Sequence, residues 1–94
     1  MRTVTTRTIT GRVNADGTLA MGAGFSSRKT AIGDYTLGFA PDFRLASVSA
    51  HSSSGTCMGV ISYPAPNQAR VAMAAYTGSL ADTAWTFLAI GAGA

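Results

Sequence analysis

The side chains best suited to acid–base or nucleophilic chemistry near neutral pH are one histidine, His51, and one cysteine, Cys57. A Ser–His–Asp triad would need His51 to align with one of nine serines, and no Gly-x-Ser-x-Gly motif singles one out. A structural zinc site needs four ligands, whereas these two residues supply two. The sequence therefore predicts no catalytic residue, no metal site and no bound cofactor.

All four acidic residues are aspartates, and each lies in or beside a predicted turn: Asp16, Asp34, Asp42 and Asp82. Aspartate is common in turns because its carboxylate accepts hydrogen bonds from nearby backbone N–H groups. Carboxylates that act as a general acid and base must converge on one site. Nothing in this spacing predicts convergence, so we interpret all four as turn residues.

Three aromatic side chains could offer a stacking surface to a sugar: Tyr63, Tyr76 and Trp85. Aromatic residues in strands more commonly fill a core or a subunit interface, because each buries about 150–250 Å². We therefore interpret them as core or interface residues. A carbohydrate-binding module, with a host glycan as ligand, remains a secondary alternative.

Charge is scarce and scattered along the sequence. Six arginines and one lysine stand against four aspartates, which gives a net charge of +3 in a chain with only 12% charged residues. Only Arg28 and Lys29 are adjacent, whereas a nucleic-acid-binding domain typically has a clustered basic surface with stacking aromatics. We therefore expect no nucleic-acid partner.

The distribution of apolar residues argues against other classes of protein. The longest run without a polar side chain, residues 87–94, is far shorter than the roughly 18 residues of a membrane-spanning helix. One cysteine cannot form an intrachain disulfide, and the first residues lack the apolar segment of a signal peptide. We expect a protein without a membrane partner that is made and kept in a cytoplasm, or is assembled there into something larger.

Turn-forming residues recur at intervals of about eight to twelve residues, a spacing typical of an all-β sandwich or barrel. Alternation is clearest in residues 35–39, Tyr-Thr-Leu-Gly-Phe, where it places three large side chains on one face. With 94 residues the chain has room for one domain. The sequence predicts one small antiparallel β-sandwich of about eight short strands, with extended segments at 3–9, 12–13, 18–21, 25–30, 35–39, 46–52, 56–63, 69–77 and 84–90.

The last predicted strand has large apolar residues on both faces. Trp85 and Phe87 alternate with Leu88 and Ile90, so we expect this strand to be buried on both sides. In so small a chain, burial on both sides implies a partner subunit. The candidate interface residues are Tyr76, Trp85, Phe87, Leu88 and Ile90.

Residues 11–25 combine a Gly-x-Val, an Ala-Asp-Gly-Thr turn and a Gly-x-Gly-Phe. In this order the motifs resemble the opening of the small β domains of phage tail-fibre knobs and other virion surface proteins. The similarity continues through Gly-Asp-Tyr-Thr-Leu-Gly-Phe at 33–39, Pro-Asp-Phe at 41–43 and Thr-Ala-Trp-Thr-Phe-Leu-Ala-Ile-Gly at 83–91. It covers residues 11–91 and involves turn and core residues.

The resemblance implies a jelly-roll-like β-sandwich that forms a homotrimer and serves as a non-enzymatic virion structural protein. Its location would be the virion surface, after assembly in the host cytoplasm. Because only about ten residues precede the similar region, we favour a capsid decoration protein, of the head-fibre or cement type, docked on the major capsid protein or another virion protein. The alternative is a tail-fibre or baseplate-associated knob involved in host attachment.

The first ten residues are expected to form an extended docking arm, ahead of a knob at residues 11–94. A segment rich in β-branched residues can pair with the sheet edge of another protein, and its arginines would contact acidic groups of the shell. The candidate docking residues are Arg2, Val4, Arg7, Ile9 and Arg12. In the alternative hypothesis, residues 3–9 are the first strand of the domain's own sheet.

Overall fold

The protein is seen in a computed structural model, which describes residues 5–53, 55 and 57–93. These residues form eight antiparallel strands and no helix. The strands are β1 (Thr5–Val13), β2 (Leu19–Gly22), β3 (Phe25–Ala31), β4 (Asp34–Phe39), β5 (Arg44–Ser52), β6 (Cys57–Ala65), β7 (Gln68–Ala75) and β8 (Trp85–Gly93). The prediction of an all-β domain with about eight short antiparallel strands is confirmed.

The strands form one sheet in the order β2-β1-β8-β5-β6-β7-β4-β3. β5 and β6 pair at a single position, His51 with Met58, so the sheet divides there into two four-stranded parts. We call β2-β1-β8-β5 the first half-sheet and β6-β7-β4-β3 the second half-sheet. Buried residues from both half-sheets form one core, which gives the fold the two-layer arrangement of a small sandwich or barrel.

The connections follow Greek-key order. β5, β6 and β7 are consecutive neighbours, and β8 returns to lie beside β5, which is the 4-1-2-3 arrangement of a Greek key. β4 lies beside β7 at the other side of the same three strands, so a second Greek key shares them. Jelly rolls also contain two Greek keys. The resulting domain is elongated, with principal extents of 50 × 22 × 21 Å.

Alternate residues of the central strands build the core. The ring of Trp85 is fully buried, and its centroid lies 5.4 Å from that of Tyr35 and 5.9 Å from that of Phe87. The contact with Tyr35 connects β8 of the first half-sheet with β4 of the second. The inward side chains are Tyr35, Leu37 and Phe39 from β4 and Trp85, Phe87 and Ala89 from β8, and each set shares one face, as alternation predicts.

Phe25 connects the two half-sheets where their edge strands, β2 and β3, approach each other. Its ring meets Phe87 edge to face, with centroids 4.7 Å apart, and lies directly over Gly11 of β1. A Cβ atom at Gly11 would overlap the ring of Phe25 and come within 2.9 Å of that of Phe87. Only glycine leaves room for an aromatic ring this close to the backbone.

Several strand boundaries differ from those expected, and the differences in β1 and β6 are the most important. β1 runs from Thr5 to Val13 and crosses the expected boundary between arm and knob at residue 10 without interruption. β6 extends to Ala65, two residues beyond the predicted end of this segment at residue 63, so that only residues 66 and 67 form the turn before β7. The Asn67 side-chain amide donates to the carbonyl of Phe39 at 3.0 Å and fixes this short turn against the end of β4.

Candidate assembly surfaces

The outward face of the first half-sheet carries a short apolar stripe between two rows of hydroxyl groups. Leu88 and Ile90 of β8 point outward and are 39% and 37% exposed. Side chains directly opposite each other on neighbouring strands have Cβ atoms about 4.5–5.5 Å apart, so the stripe and its flanks form one surface. We call this surface the β8 face. Leu88 lies between Thr10 of β1 and Ser49 of β5, and Ile90 lies between Thr8 of β1 and Ser47 of β5.

The structure brings together two of the five predicted interface residues, Leu88 and Ile90. Trp85 and Phe87 point the other way and are 0% and 4% exposed, because they fill the core of their own chain. They are therefore not available to a second subunit. Tyr76 follows the end of β7, where its hydroxyl donates to the carbonyl of Gly55 at 3.1 Å. Within a single chain, β8 is thus buried on one face only.

Residues 5–10, the described part of the expected docking arm, belong to the domain's own sheet. Every residue of β1 lies opposite a residue of β8, from Thr5 opposite Gly93 to Val13 opposite Trp85. These residues form a strand of the sheet, as in the alternative hypothesis. On the other side of β1, β2 pairs with residues 11–13 only. Among the described residues, positions 5–10 therefore have one edge without a partner strand, which we call the β1 edge.

The candidate docking residues do not share one surface. Ile9 is buried in the core, and the guanidinium of Arg7 lies 5.7 Å from the centroid of the Phe43 ring, a cation–π distance. Both residues therefore stabilise the domain itself. Arg12 is exposed and lies opposite Met21 of β2. The other two candidates, Arg2 and Val4, lie outside the described residues.

The second half-sheet has an apolar patch on its outward face that sequence reasoning missed. Residues 56–63 had the composition of an interior strand, yet Met58 and Val60 are each 57% exposed. They lie opposite Ala74 and Ala72 of β7, and Leu80 forms an isolated bridge with Ala74. We call these five residues the β6 patch. Alternation of large apolar residues in β6 was the available signal, but it fits an interior strand equally well.

Asp34 lies directly beside the turn at residues 32 and 33, as expected, where it is the first residue of β4 and has a buried side chain. Arg70 of β7 binds it through Nε, at 2.8 and 3.1 Å from the two carboxylate oxygens, and through Nη2 at 2.5 Å. These hydrogen bonds, together with the positive charge, hold the pKa of Asp34 below its usual value and outweigh the opposing effect of burial. The carboxylate therefore stabilises the pairing of β4 and β7.

Asp82 joins the segment before β8 to the β3–β4 hairpin. Its carboxylate accepts the backbone N–H of Gly33 at 2.7 Å and the ammonium group of Lys29 at 2.5 Å. The hydrogen bond from Lys29 is the main cause that lowers the pKa of Asp82, and the same contact raises the pKa of Lys29. Gly33 has a φ of +66°, and the backbone of Ala81 leaves no room there for a Cβ atom. Asp82 thus stabilises the turn of a hairpin 49 positions away and not, as expected, a turn of its own segment.

Asp16 and Asp42 lie in turns, as predicted. Asp16 accepts hydrogen bonds from the backbone N–H and the hydroxyl of Thr18, at 3.0 and 2.6 Å. These two bonds lower the pKa of Asp16, the hydroxyl contributing most. Asp16, Asp34 and Asp82 therefore stabilise separate turns and strands, and the four aspartates do not converge on one site.

His51 is exposed on β5 and Cys57 is buried at the start of β6, and both line one hollow of about 390 Å³ together with Ser52 and Tyr76. In the described part of the chain, no group of three His, Cys, Asp or Glu side chains could hold a metal ion. Tyr63 and Tyr76 bond to groups near opposite ends of β6, and Trp85 is buried, so the three aromatics form no single platform for a sugar.

No family model matches the chain, no curated protein matches it, and no solved structure matches its fold. Within residues 5–53, 55 and 57–93 there is no helix long and apolar enough to cross a membrane. A role for the protein is therefore inferred from its own surfaces, which are the β8 face, the β1 edge and the β6 patch.

Proposed function

We propose that this protein is a non-enzymatic structural component of a virion surface that assembles with copies of itself through the β8 face. The observation that carries the proposal is the exposed stripe of Leu88 and Ile90 at the centre of an uncharged surface. Contiguous exposed apolar groups rimmed by polar residues mark sites of protein–protein association. Only 12% of the residues are charged, so little charge would have to be desolvated when such surfaces meet.

The assembly we propose is a homotrimer. Three copies can turn the same half-sheet toward a threefold axis, which brings the Leu88 and Ile90 side chains of all three together. Contacts around such a ring are heterologous, so the β1 side of one copy meets the β5 side of the next. Here the β1 side presents Thr8 and Thr10 and the β5 side presents serines. Hydroxyls both donate and accept hydrogen bonds, so the two different rows can pair.

Docking on a larger shell would use the β1 edge. An extended segment of a partner can add to an unpaired strand edge, where main-chain hydrogen bonds supply the affinity. Arg12 is exposed just beyond this edge and would favour an acidic partner. The partner proposed is the major capsid protein or another virion protein.

Placement on the capsid depends on the resemblance of residues 11–91 to small virion β domains. A tail-fibre or baseplate-associated knob is the alternative placement on the same resemblance. Quantitative mass spectrometry of purified particles distinguishes the two placements. Hundreds of copies per particle support capsid decoration, a handful supports the tail, and none refutes a virion role.

Self-association is tested by sedimentation of the wild-type chain and of the double variant Leu88→Lys, Ile90→Lys. We expect a wild-type trimer at micromolar concentration and a folded monomer for the variant, because two charges per copy would face the threefold axis. Ser62→Lys, at an exposed position of β6, is the matched control and should remain trimeric. A stable wild-type monomer would overturn the proposed assembly, as would a variant that stays trimeric.

A further inference from the structure

A polar hollow of about 330 Å³ opens on the outward face of the second half-sheet. Its position is set by the pairing of β3, β4 and β7, which places Arg28 opposite Thr36 and Gly38 between Ser26 and Gln68. Its volume is near the lower end of the range of small-molecule sites, about 300–1,000 Å³. The lining residues are Ser26, Ser27, Arg28, Thr36, Gly38 and Gln68.

Glycine at position 38 creates the space. A Cβ atom at Gly38 would come within 2.8 Å of the Ser26 hydroxyl oxygen, so a larger residue would occupy the hollow. The Ser26 hydroxyl makes only a long contact of 3.4 Å with the carbonyl of Gly38. Thr36 and Gln68 make no side-chain hydrogen bond to any other described residue. Three polar side chains therefore surround the hollow with capacity for a ligand.

Arg28 supplies an unneutralised positive charge at this hollow. The two neighbouring cations on the second half-sheet are already paired, Lys29 with Asp82 and Arg70 with Asp34. Arg28 is exposed and has no ion pair or hydrogen bond with any residue in the described ranges. Its five N–H groups form a planar fork that fits the oxygens of a phosphate.

The groups that line the hollow differ in hydrogen-bonding character. The guanidinium of Arg28 only donates, which suits an anion, whereas hydroxyl and amide groups both donate and accept, which suits the hydroxyls of a sugar. The described lining contains no aromatic ring on which a nucleic-acid base could stack. This combination favours an anionic sugar over a single-stranded nucleic acid.

We propose that the hollow binds a sugar phosphate. Arg28 holds the phosphate group, and Ser26, Thr36 and Gln68 hydrogen-bond to the sugar hydroxyls. This site lies on the half-sheet opposite to the β8 face and does not depend on the proposed assembly or virion role.

The test is an NMR titration of the ¹⁵N-labelled full chain, in which the chemical shifts of the backbone amides are measured as each probe is added. The probes are glucose 6-phosphate, glucose and inorganic phosphate. We expect saturable shifts at the hollow with glucose 6-phosphate, weaker binding of inorganic phosphate, and no binding of glucose at the same concentrations. Equal affinity for glucose 6-phosphate and inorganic phosphate would refute the role of the sugar contacts, and tighter binding of a single-stranded oligonucleotide would refute the ligand class.

Variants assign the binding to named groups. Arg28→Gln should weaken glucose 6-phosphate binding by about tenfold or more, because a hydrogen bond to a charged group is lost. Arg28→Lys should restore part of the affinity, since it keeps the charge but not the fork. Arg44→Gln removes an exposed arginine from β5 of the other half-sheet and should have no effect.

Gly38→Val fills the hollow and should abolish the shifts while the rest of the spectrum stays native. Unchanged binding by this variant overturns the proposal. The proposal is also overturned if Arg28→Gln and Arg44→Gln weaken binding equally, because the anion would then be attracted by net charge alone. Both arginines are exposed, so this comparison remains decisive even if Gly38→Val disturbs the fold.

Discussion

The hydroxyl oxygen of Tyr63 accepts the backbone N–H of Val48 at 3.0 Å, across the gap where β5 and β6 separate. The two strands pair only at His51 and Met58, so this N–H group has no strand partner on that side. Val48 is buried, and a buried N–H group without an acceptor is costly. A tyrosine side chain therefore replaces a strand-to-strand hydrogen bond at the corner of the sandwich.

Tyr63→Phe removes this acceptor and keeps the ring. We expect the free energy of unfolding to fall by about 1–3 kcal/mol, because the N–H group of Val48 is left unsatisfied. Urea denaturation measures the change. Tyr76→Phe is the matched control, since its hydroxyl bonds to an exposed residue, Gly55, and we expect a change within about 0.5 kcal/mol. Equal losses for the two variants would contradict the bridging role of Tyr63.

Asp34 should make the free energy of unfolding depend on pH in the acidic range. Its pKa is lowered in the folded chain relative to an unfolded value near 3.9, so the stabilisation by Arg70 is complete above that pH. It is lost as the pH falls through the lower pKa of the folded state. We therefore expect Asp34→Asn to reduce the loss of unfolding free energy between about pH 5 and pH 2, measured by denaturation at a series of pH values.

At neutral pH the same variant should lower the free energy of unfolding by about 1–2 kcal/mol. Hydrogen bonds to charged groups contribute about 1.5–3 kcal/mol, and screening reduces this because the Arg70 side chain is 58% exposed. Asp42→Asn, which removes a carboxylate from an exposed turn without removing the ion pair with Arg70, is the control. If both variants reduce the dependence of the unfolding free energy on pH to the same extent, the ion pair of Asp34 with Arg70 is not the source of that dependence.

Gly11→Ala should destabilise the domain by about 1–3 kcal/mol, the usual cost of overpacking. The added methyl group meets the rings of Phe25 and Phe87, so the contact between the two half-sheets must open. A double-mutant cycle with Phe25→Leu isolates the effect, because the smaller side chain makes room for the methyl group. We expect the penalty of Gly11→Ala to shrink in that background. If Gly11→Ala costs the same free energy in the Phe25→Leu background, the overlap with the Phe25 ring is not the cause of the destabilisation.

Much of the fold could be predicted because large apolar residues alternate with small or polar ones. In β4 this pattern identified the inward side chains, including Tyr35 and Leu37, without knowledge of strand order. In β8 both faces carry large apolar residues, so the pattern could not show that Trp85 points inward and Leu88 outward. Turn residues located the strand ends to within a few positions. Strand order and register could not be predicted, because they depend on contacts between residues far apart in the sequence.

The candidate surfaces were harder to predict, and for different reasons. β1 alternates threonine with other residues, and threonine suits a strand of the domain's own sheet as well as an extended docking arm. The pattern therefore could not show that Ile9 is buried. In β6 the apolar residues Met58 and Val60 read as interior, because hydrophobicity alone does not tell a core from an exposed patch. The position of Asp34 beside a turn could be predicted, but its ion pair could not, because Arg70 is 36 positions away in the sequence.

The position of β8 between β1 and β5 determines when the domain can fold during synthesis. β8 is the last of the eight strands in the chain, yet it supplies the neighbour of both β1 and β5. Until it emerges from the ribosome, the nascent chain holds two strands whose facing edges are unpaired, and such edges attract other chains. Closing the sheet joins Thr5 to Gly93, a long-range pairing that slows folding. Completion of this domain therefore waits for the synthesis of β8, and aggregation competes with it until β8 is in place.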